Sequence, residues 1–223
     1  MSSRYTLAIH TSSPDLGLAI SDGAGETRQQ VWHLGREQST LLHHHLEAFL
    51  KPQTWADLSA IAVAIGPGGF TGTRIGVVLA RTLAQQLQIP LYGVSSLAAI
   101  SAKRNFGKNG FAKYQNIAQQ ESHSATHPII AVQMAAQRGQ LFTGIYQFSG
   151  NQLTILHPDA VMSEDAWRAT LAKLDQYHLI EAEPAQGQFV VGVLELAYQA
   201  QRAGQQPDWS DVLPFYGQHP VEL

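Results

Sequence analysis

Apolar positions along the chain come in two kinds of pattern. Tyr5 to His10, Leu16 to Ser21, Ala60 to Ile65 and Leu91 to Val94 are short, nearly unbroken apolar runs and predict buried strands. Thr27 to Leu34 is more polar and predicts a third strand after the Gly23-Ala24-Gly25 turn, completing a meander with the first two. Gln38 to Leu50 places Leu42, Leu46 and Phe49/Leu50 at helical spacing, with Ser39 or Thr40 as the cap and Pro52 as the stop. A long helix follows the loop Gly66–Gly72 and runs to about Gln88 before Pro90; Ser95/Ser96 caps another. The order βββαβαβα predicts an α/β lobe.

The pattern breaks between 105 and 127, where Lys, Asn, Gln, Ser and Gly alternate without a period. That stretch predicts an exposed insertion or linker between a lobe over 1–104 and a smaller one over 128–223. Strands resume at Ile129 to Gln133 and Leu141 to Phe148, with a Gly150-Asn151 hairpin turn into Leu153 to Leu156. Helices are predicted from Ser163 to Lys173, capped by Ser163, and from Gln188 to Ala203, ended by Gly204.

The long helix has two apolar sides. Ile75, Val78, Leu79 and Leu83 lie on one; Val77, Ala80, Ala84 and Leu87 lie largely on another. A surface helix usually carries one apolar stripe. This one predicts cover from its own sheet and from a second element, either another helix of the chain or a partner.

Composition narrows the chemistry. The chain has 223 residues, 14 Lys+Arg against 17 Asp+Glu, and a net charge of −3. Without a basic block, unaided nucleic-acid binding is not expected. Cys is absent, which removes disulfides and thiolate metal sites and fits a reducing compartment. Strand-like residues begin at Arg4-Tyr5, no apolar run reaches the roughly 18 residues of a membrane helix, and the expected location is cytoplasmic. Charged residues are 14% of the chain, below the roughly 25% usual; 23 Gln fill part of the gap.

Candidate reactive groups are few. His43-His44-His45 cannot converge on one ion, because adjacent helical side chains diverge by about 100°. His123 and His127 sit in the polar stretch before Pro128 with no third ligand. No Ser-His-Asp or Cys-His set can be assembled, and G-x-S-x-G is absent. The Gly66–Gly72 loop can expose backbone N–H groups to an anion, or can be a tight strand-to-helix turn. It lacks the Lys-Ser/Thr of a P-loop. Arg74, just inside the helix, suits an anion, a carboxylate or a surface ion pair.

Three stretches carry a resemblance. Leu7-Ala8-Ile9-His10-Thr11-Ser12 with Leu18-Ala19-Ile20 resembles "LaiDTs…aL". Gly66-Pro67-Gly68-Gly69-Phe70-Thr71-Gly72-Thr73-Arg74-Ile75-Gly76 resembles "GPGSFTGlRiG". Ile89-Pro90-Leu91-Tyr92-Gly93-Val94-Ser95-Ser96-Leu97 resembles "iPligVssL". These are similar to the bacterial TsaB (YeaZ) family, strongly from Arg4 to Ser101 and thinly afterwards.

The resemblance implies an actin/Hsp70-like (ASKHA) fold of two RNase H-like lobes with mixed sheets and flanking helices. It implies a non-catalytic scaffold or dimerisation subunit supporting a TsaD-like enzyme that threonylcarbamoylates the tRNA adenosine beside the anticodon. A TsaE-like ATPase joins them, tRNA is met only indirectly, and in isolation the chain is either a monomer or a homodimer. The alternative is an ASKHA nucleotide hydrolase or a glycopeptidase-like metalloenzyme. Under the first reading there is no catalytic residue and no metal site. Leu42, Leu46, Phe70, Thr71, Arg74, Ile75, Val78, Leu79 and Thr82 form the partner interface. Thr11, Ser12, Gly68 and Gly69 are the candidate anion- or nucleotide-binding positions. No cofactor is required, and ATP is held at most weakly or at a subunit boundary.

Departures from the related patterns point the same way. The catalytic paralogue's HHxEGH metal motif is matched by Ser95 to Ile100, so Ser96 and Ile100 stand where its imidazole ligands would be. The family's first-strand Asp is His10 here. Its "DAR.GevY" aligns with Ala135 to Phe142, replacing the acid by Ala135 and the Arg by Gln137. Leu213-Pro214-Phe215-Tyr216 resembles the family's "P-x-Y" without the Arg that usually follows.

Overall fold

Strand β1 (Tyr5–His10) is buried along its whole length, because it lies in the middle of a sheet covered on both faces. The computed structural model describes residues 4–106, 128–215 and 217. After β1 come β2 (Asp15–Ser21), β3 (Thr27–His33), α1 (Gln38–Leu50), β4 (Leu58–Ala64), α2 (Phe70–Leu87), β5 (Leu91–Val94) and α3 (Ser96–Phe106). The second part holds β6 (Ile129–Ala135), β7 (Gln140–Ser149), β8 (Gln152–Ser163), α4 (Glu164–Leu171), β9 (His178–Ala182) and α5 (Val190–Arg202).

The first sheet has the order β3-β2-β1-β4-β5, antiparallel across β3, β2 and β1 and parallel from β1 to β4 and β5. The second repeats that plan with one strand fewer: β8-β7-β6-β9, with β6 antiparallel to β7 and parallel to β9. Alternation along the strands sorts their side chains. Leu7, Ile9, Ile61 and Val63 face α1 and α2, whereas Ala8, Ala60, Ala62 and Ala64 face α3 and α5. The alanines let those two helices lie close. The same core takes in Ile130, Val132, Tyr146 and Phe148 from the second sheet, so α3 and α5 are shared by both lobes. Helix α4 covers the far face of the second sheet through Trp167 and Leu171. Among the described residues no helix is long and apolar enough to cross a membrane.

Several expectations need correction. Neither Ser39 nor Thr40 caps α1; its N-cap is Glu37, reached through a 3-10 turn at Gly35–Glu37, with no side-chain cap. The predicted strand at Leu153 to Leu156 in the second lobe is the start of a 12-residue strand. Pro158 hid the continuation, and it is tolerated because β8 is a sheet edge. Strand β9 went unpredicted, since HLIEA is short and largely exposed. Helix α3 runs on to Phe106, past the expected break at 105; 107–127, with His123 and His127, lie outside the described residues. The Ser163 cap is present, accepting from the Ala166 N–H at 3.3 Å.

Candidate functional site

The glycine-rich loop meets the end of β1 at close range. Gly68, Gly72 and Gly76 are spaced four apart, and a Cβ on any of them would run into Thr11 or Ser12. The Gly69 N–H donates to the Ser12 carbonyl at 2.7 Å. The Thr11 hydroxyl donates to the Gly72 carbonyl at 2.8 Å. These glycines therefore serve strand–helix packing. Of the candidate anion positions, Thr11 is fully buried and outside the cleft, while Ser12, Gly68 and Gly69 line it.

That cleft, about 500 Å³, opens between the lobes. Lobe 1 supplies Ser12 to Pro14, Pro67 to Phe70, Thr73 and Arg74; lobe 2 supplies Met134 to Gln137, Phe142, Ala182 and Pro184. Pro214, Phe215 and Gly217 complete the wall. Arg74 is the only charged residue among the described lining residues. A Mg-nucleotide needs hard oxygen donors, carboxylates above all, for its cation. Ala135 offers none, and His10 lies outside the lining. Among the described residues neither His10 ring nitrogen has a hydrogen-bond partner. Burial drives its pKa down to about 4, against a weaker upward pull from the Asp15 charge, so the imidazole is neutral at pH 7. These residues do not fit a Mg-nucleotide.

The other candidate surface lies on the outer face of α2. Val77, Ala80 and Ala84 pack on the sheet. Ile75, Val78, Leu79 and Thr82 line a groove of about 380 Å³ together with Arg74 and His43. Val78 is 62% exposed and Phe70 40%. The Arg74 guanidinium lies over the Phe70 ring, 4.1 Å from its centroid. Five of the nine predicted interface residues thus line this groove, and Phe70 and Thr71 lie exposed at the start of the same helix; Leu42 and Leu46 do not share the face. Both are core residues, 0% and 2% exposed, turned onto the sheet by the same spacing that revealed the helix. The prediction is corrected there.

The three histidines diverge as helix geometry requires. His43 reaches the α2 groove, which sequence reasoning missed, and His45 stacks against Trp32 with ring centroids 4.7 Å apart. Ser96 and Ile100, at the paralogue's ligand positions, are both buried on α3. Among the described residues no three His, Cys, Asp or Glu side chains are placed to hold a metal ion. Sequence reasoning also missed Phe142 and Phe215 as cleft walls. Their apolar neighbours gave no sign that they would meet across the lobes.

Two lobes of one plan, each a mixed sheet with flanking helices and a cleft where they join, define an RNase H-like pair of the actin/Hsp70 kind. The solved structure of YeaZ from Pseudomonas aeruginosa superposes with a TM-score of 0.72 at 21% identity, covering 95% of this chain and 100% of that one. A family model described as TsaD, tRNA N6-adenosine threonylcarbamoyltransferase, matches residues 40–189. The TsaB protein of Bacillus subtilis (strain 168), named for tRNA threonylcarbamoyladenosine biosynthesis, is 33% identical over 173 residues, 76% of this chain and 67% of that protein. TsaB of Escherichia coli (strain K12) is 44% identical over 54 residues, 24% of this chain and 23% of that protein. The chain belongs to the TsaB (YeaZ) family.

Proposed function

We propose that this chain is the non-catalytic scaffold subunit of tRNA threonylcarbamoyladenosine biosynthesis, acting in the cytoplasm. It docks a TsaD-like catalytic partner through the outer face of α2 and helps position a TsaE-like ATPase. Contact with tRNA is left to those partners, and in their absence the same face pairs with a second copy. The observation carrying this reading is the open apolar groove of Ile75, Val78 and Leu79 on a helix already packed on its other side. Removing that apolar area from water is the driving force for docking. Arg74 as the single charge among the described cleft residues supports a subunit that needs no Mg-nucleotide of its own.

The test is co-purification with a TsaD-like protein and its affinity by calorimetry. Val78→Asp puts a charge at the most exposed apolar position of the groove. Association should fall below detection while the isolated chain keeps its far-UV circular dichroism. Undiminished binding by the variant would overturn the proposed interface. Unchanged threonylcarbamoyladenosine in tRNA after depletion of the chain would overturn the pathway role.

A further inference from the structure

We infer that the segment 212–215 is a strap that ties the two lobes together across the cleft, with Phe215 as its pin. After α5 the chain returns to lobe 1. The Tyr92 hydroxyl donates to the Gln205 carbonyl at 2.7 Å. The Arg81 guanidinium faces the Trp209 ring at 5.8 Å, placing the approach to the strap against α2. Val212 then enters the lobe 1 core beside Gly93, where a Cβ would come within 3.0 Å of the Val212 methyl.

Phe215 is the point of crossing. Its N–H donates to the Ile65 carbonyl of lobe 1 at 2.7 Å. Its ring meets Phe142 of lobe 2 edge-on, with centroids 6.5 Å apart and planes at 74°. Gly217 then lies against Val161 of β8, and any Cβ there would collide with the Phe215 ring. Anchors in lobe 1 and contacts in lobe 2 thus sit within six residues.

A second contact joins the lobes at Ser13. There the Gln186 N–H donates to the Ser13 hydroxyl at 3.2 Å, next to the start of α5. The shared core of α3 and α5 lies beneath and acts as the hinge. One backbone hydrogen bond and one aromatic pair at Phe215 are far weaker than that core. The strap can therefore release without unfolding either lobe, and cleft width follows whether Phe215 is seated.

The chain's lack of Cys permits a direct measurement. Spin labels at Thr71→Cys in lobe 1 and Glu183→Cys in lobe 2 report the distance across the cleft by double electron–electron resonance. With Phe215 intact, one narrow distribution is expected. Phe215→Ala should add a longer-distance population, with far-UV circular dichroism unchanged, and Phe215→Tyr should restore the narrow one. Phe142→Ala removes the same contact from the other lobe and should give the same broadening. Unchanged distributions in both alanine variants would overturn the strap. So would loss of folding in both, because a releasable strap leaves each core standing.

Discussion

The Thr11 hydroxyl and the Gly72 carbonyl are 2.8 Å apart, joining the end of β1 to the first turn of α2. One turn further along, Gly76 faces the same threonine, whose Oγ1 fills the space a Cβ would need. Gly76→Ala therefore sets two effects against each other. Alanine gains about 1 kcal/mol of helix propensity, while overpacking against a fixed strand costs about 1–3 kcal/mol. The expected outcome is net destabilisation, read as a lower urea midpoint at unchanged slope. Adding Thr11→Ala should recover much of the loss, so that the double variant loses less stability than the sum of the two single variants.

His10 makes acid stability testable. Its folded pKa of about 4 lies below the ordinary 6.5, because burial without a partner disfavours the charged ring. The folded state thus binds fewer protons than the unfolded state between those values. The stability involved is present above pH 6.5 and is lost as pH falls through about 4. Across the whole window it amounts to on the order of 3 kcal/mol. His10→Leu, of similar volume and without a titratable group, should lose less stability than wild type between pH 6.5 and 4.

Asp159 behaves in the opposite sense. It accepts a hydrogen bond from the fully buried Tyr146, and burial raises its carboxyl pKa, with the hydroxyl donors and the His157 charge pulling weakly the other way. A raised pKa means stability fully present below 3.8 and lost as pH rises through the folded value. Asp159→Asn keeps an acceptor for Tyr146 and cannot ionise. It should be more stable than wild type at pH 7 and lose that advantage at pH 3, as thermal melts at both values will show.

Val78 and Leu46 separate docking from folding. Val78→Asp, on an open helix face, should change the stability of the monomer by no more than about 0.5 kcal/mol while abolishing partner capture. Leu46→Ala empties a core position that is 2% exposed and should cost about 2–5 kcal/mol. The folded fraction of that variant should still bind the partner at wild-type affinity. Calorimetry at a temperature where both variants are folded checks the contrast.

Sequence alone determined the order of elements in the first lobe, because each buried strand is a short apolar run and each break has Gly, Pro or a cap-like residue beside it. It also determined that α2 has two apolar sides, since helical periodicity is a local property. The resemblance of three motifs carried the family, and the HHxEGH positions at Ser96 and Ile100 argued against a metal. Which apolar residues stay open was beyond it. Leu42 and Val78 look alike in the pattern, yet one is 0% and the other 62% exposed, because a sheet covers α1 where α2 has a free face. For Gly68, Gly72 and Gly76 the sequence left an anion cradle and a tightly packed turn both open, and Thr11 and Ser12, filling the space beside them, decide for packing. The same holds for Phe215 meeting Phe142 across 73 positions of chain, a contact created by the return of the segment after α5 to lobe 1. Local pattern fixes what each segment can become; only the packing of the two lobes decides which surfaces remain for a partner and which side chains close the cleft.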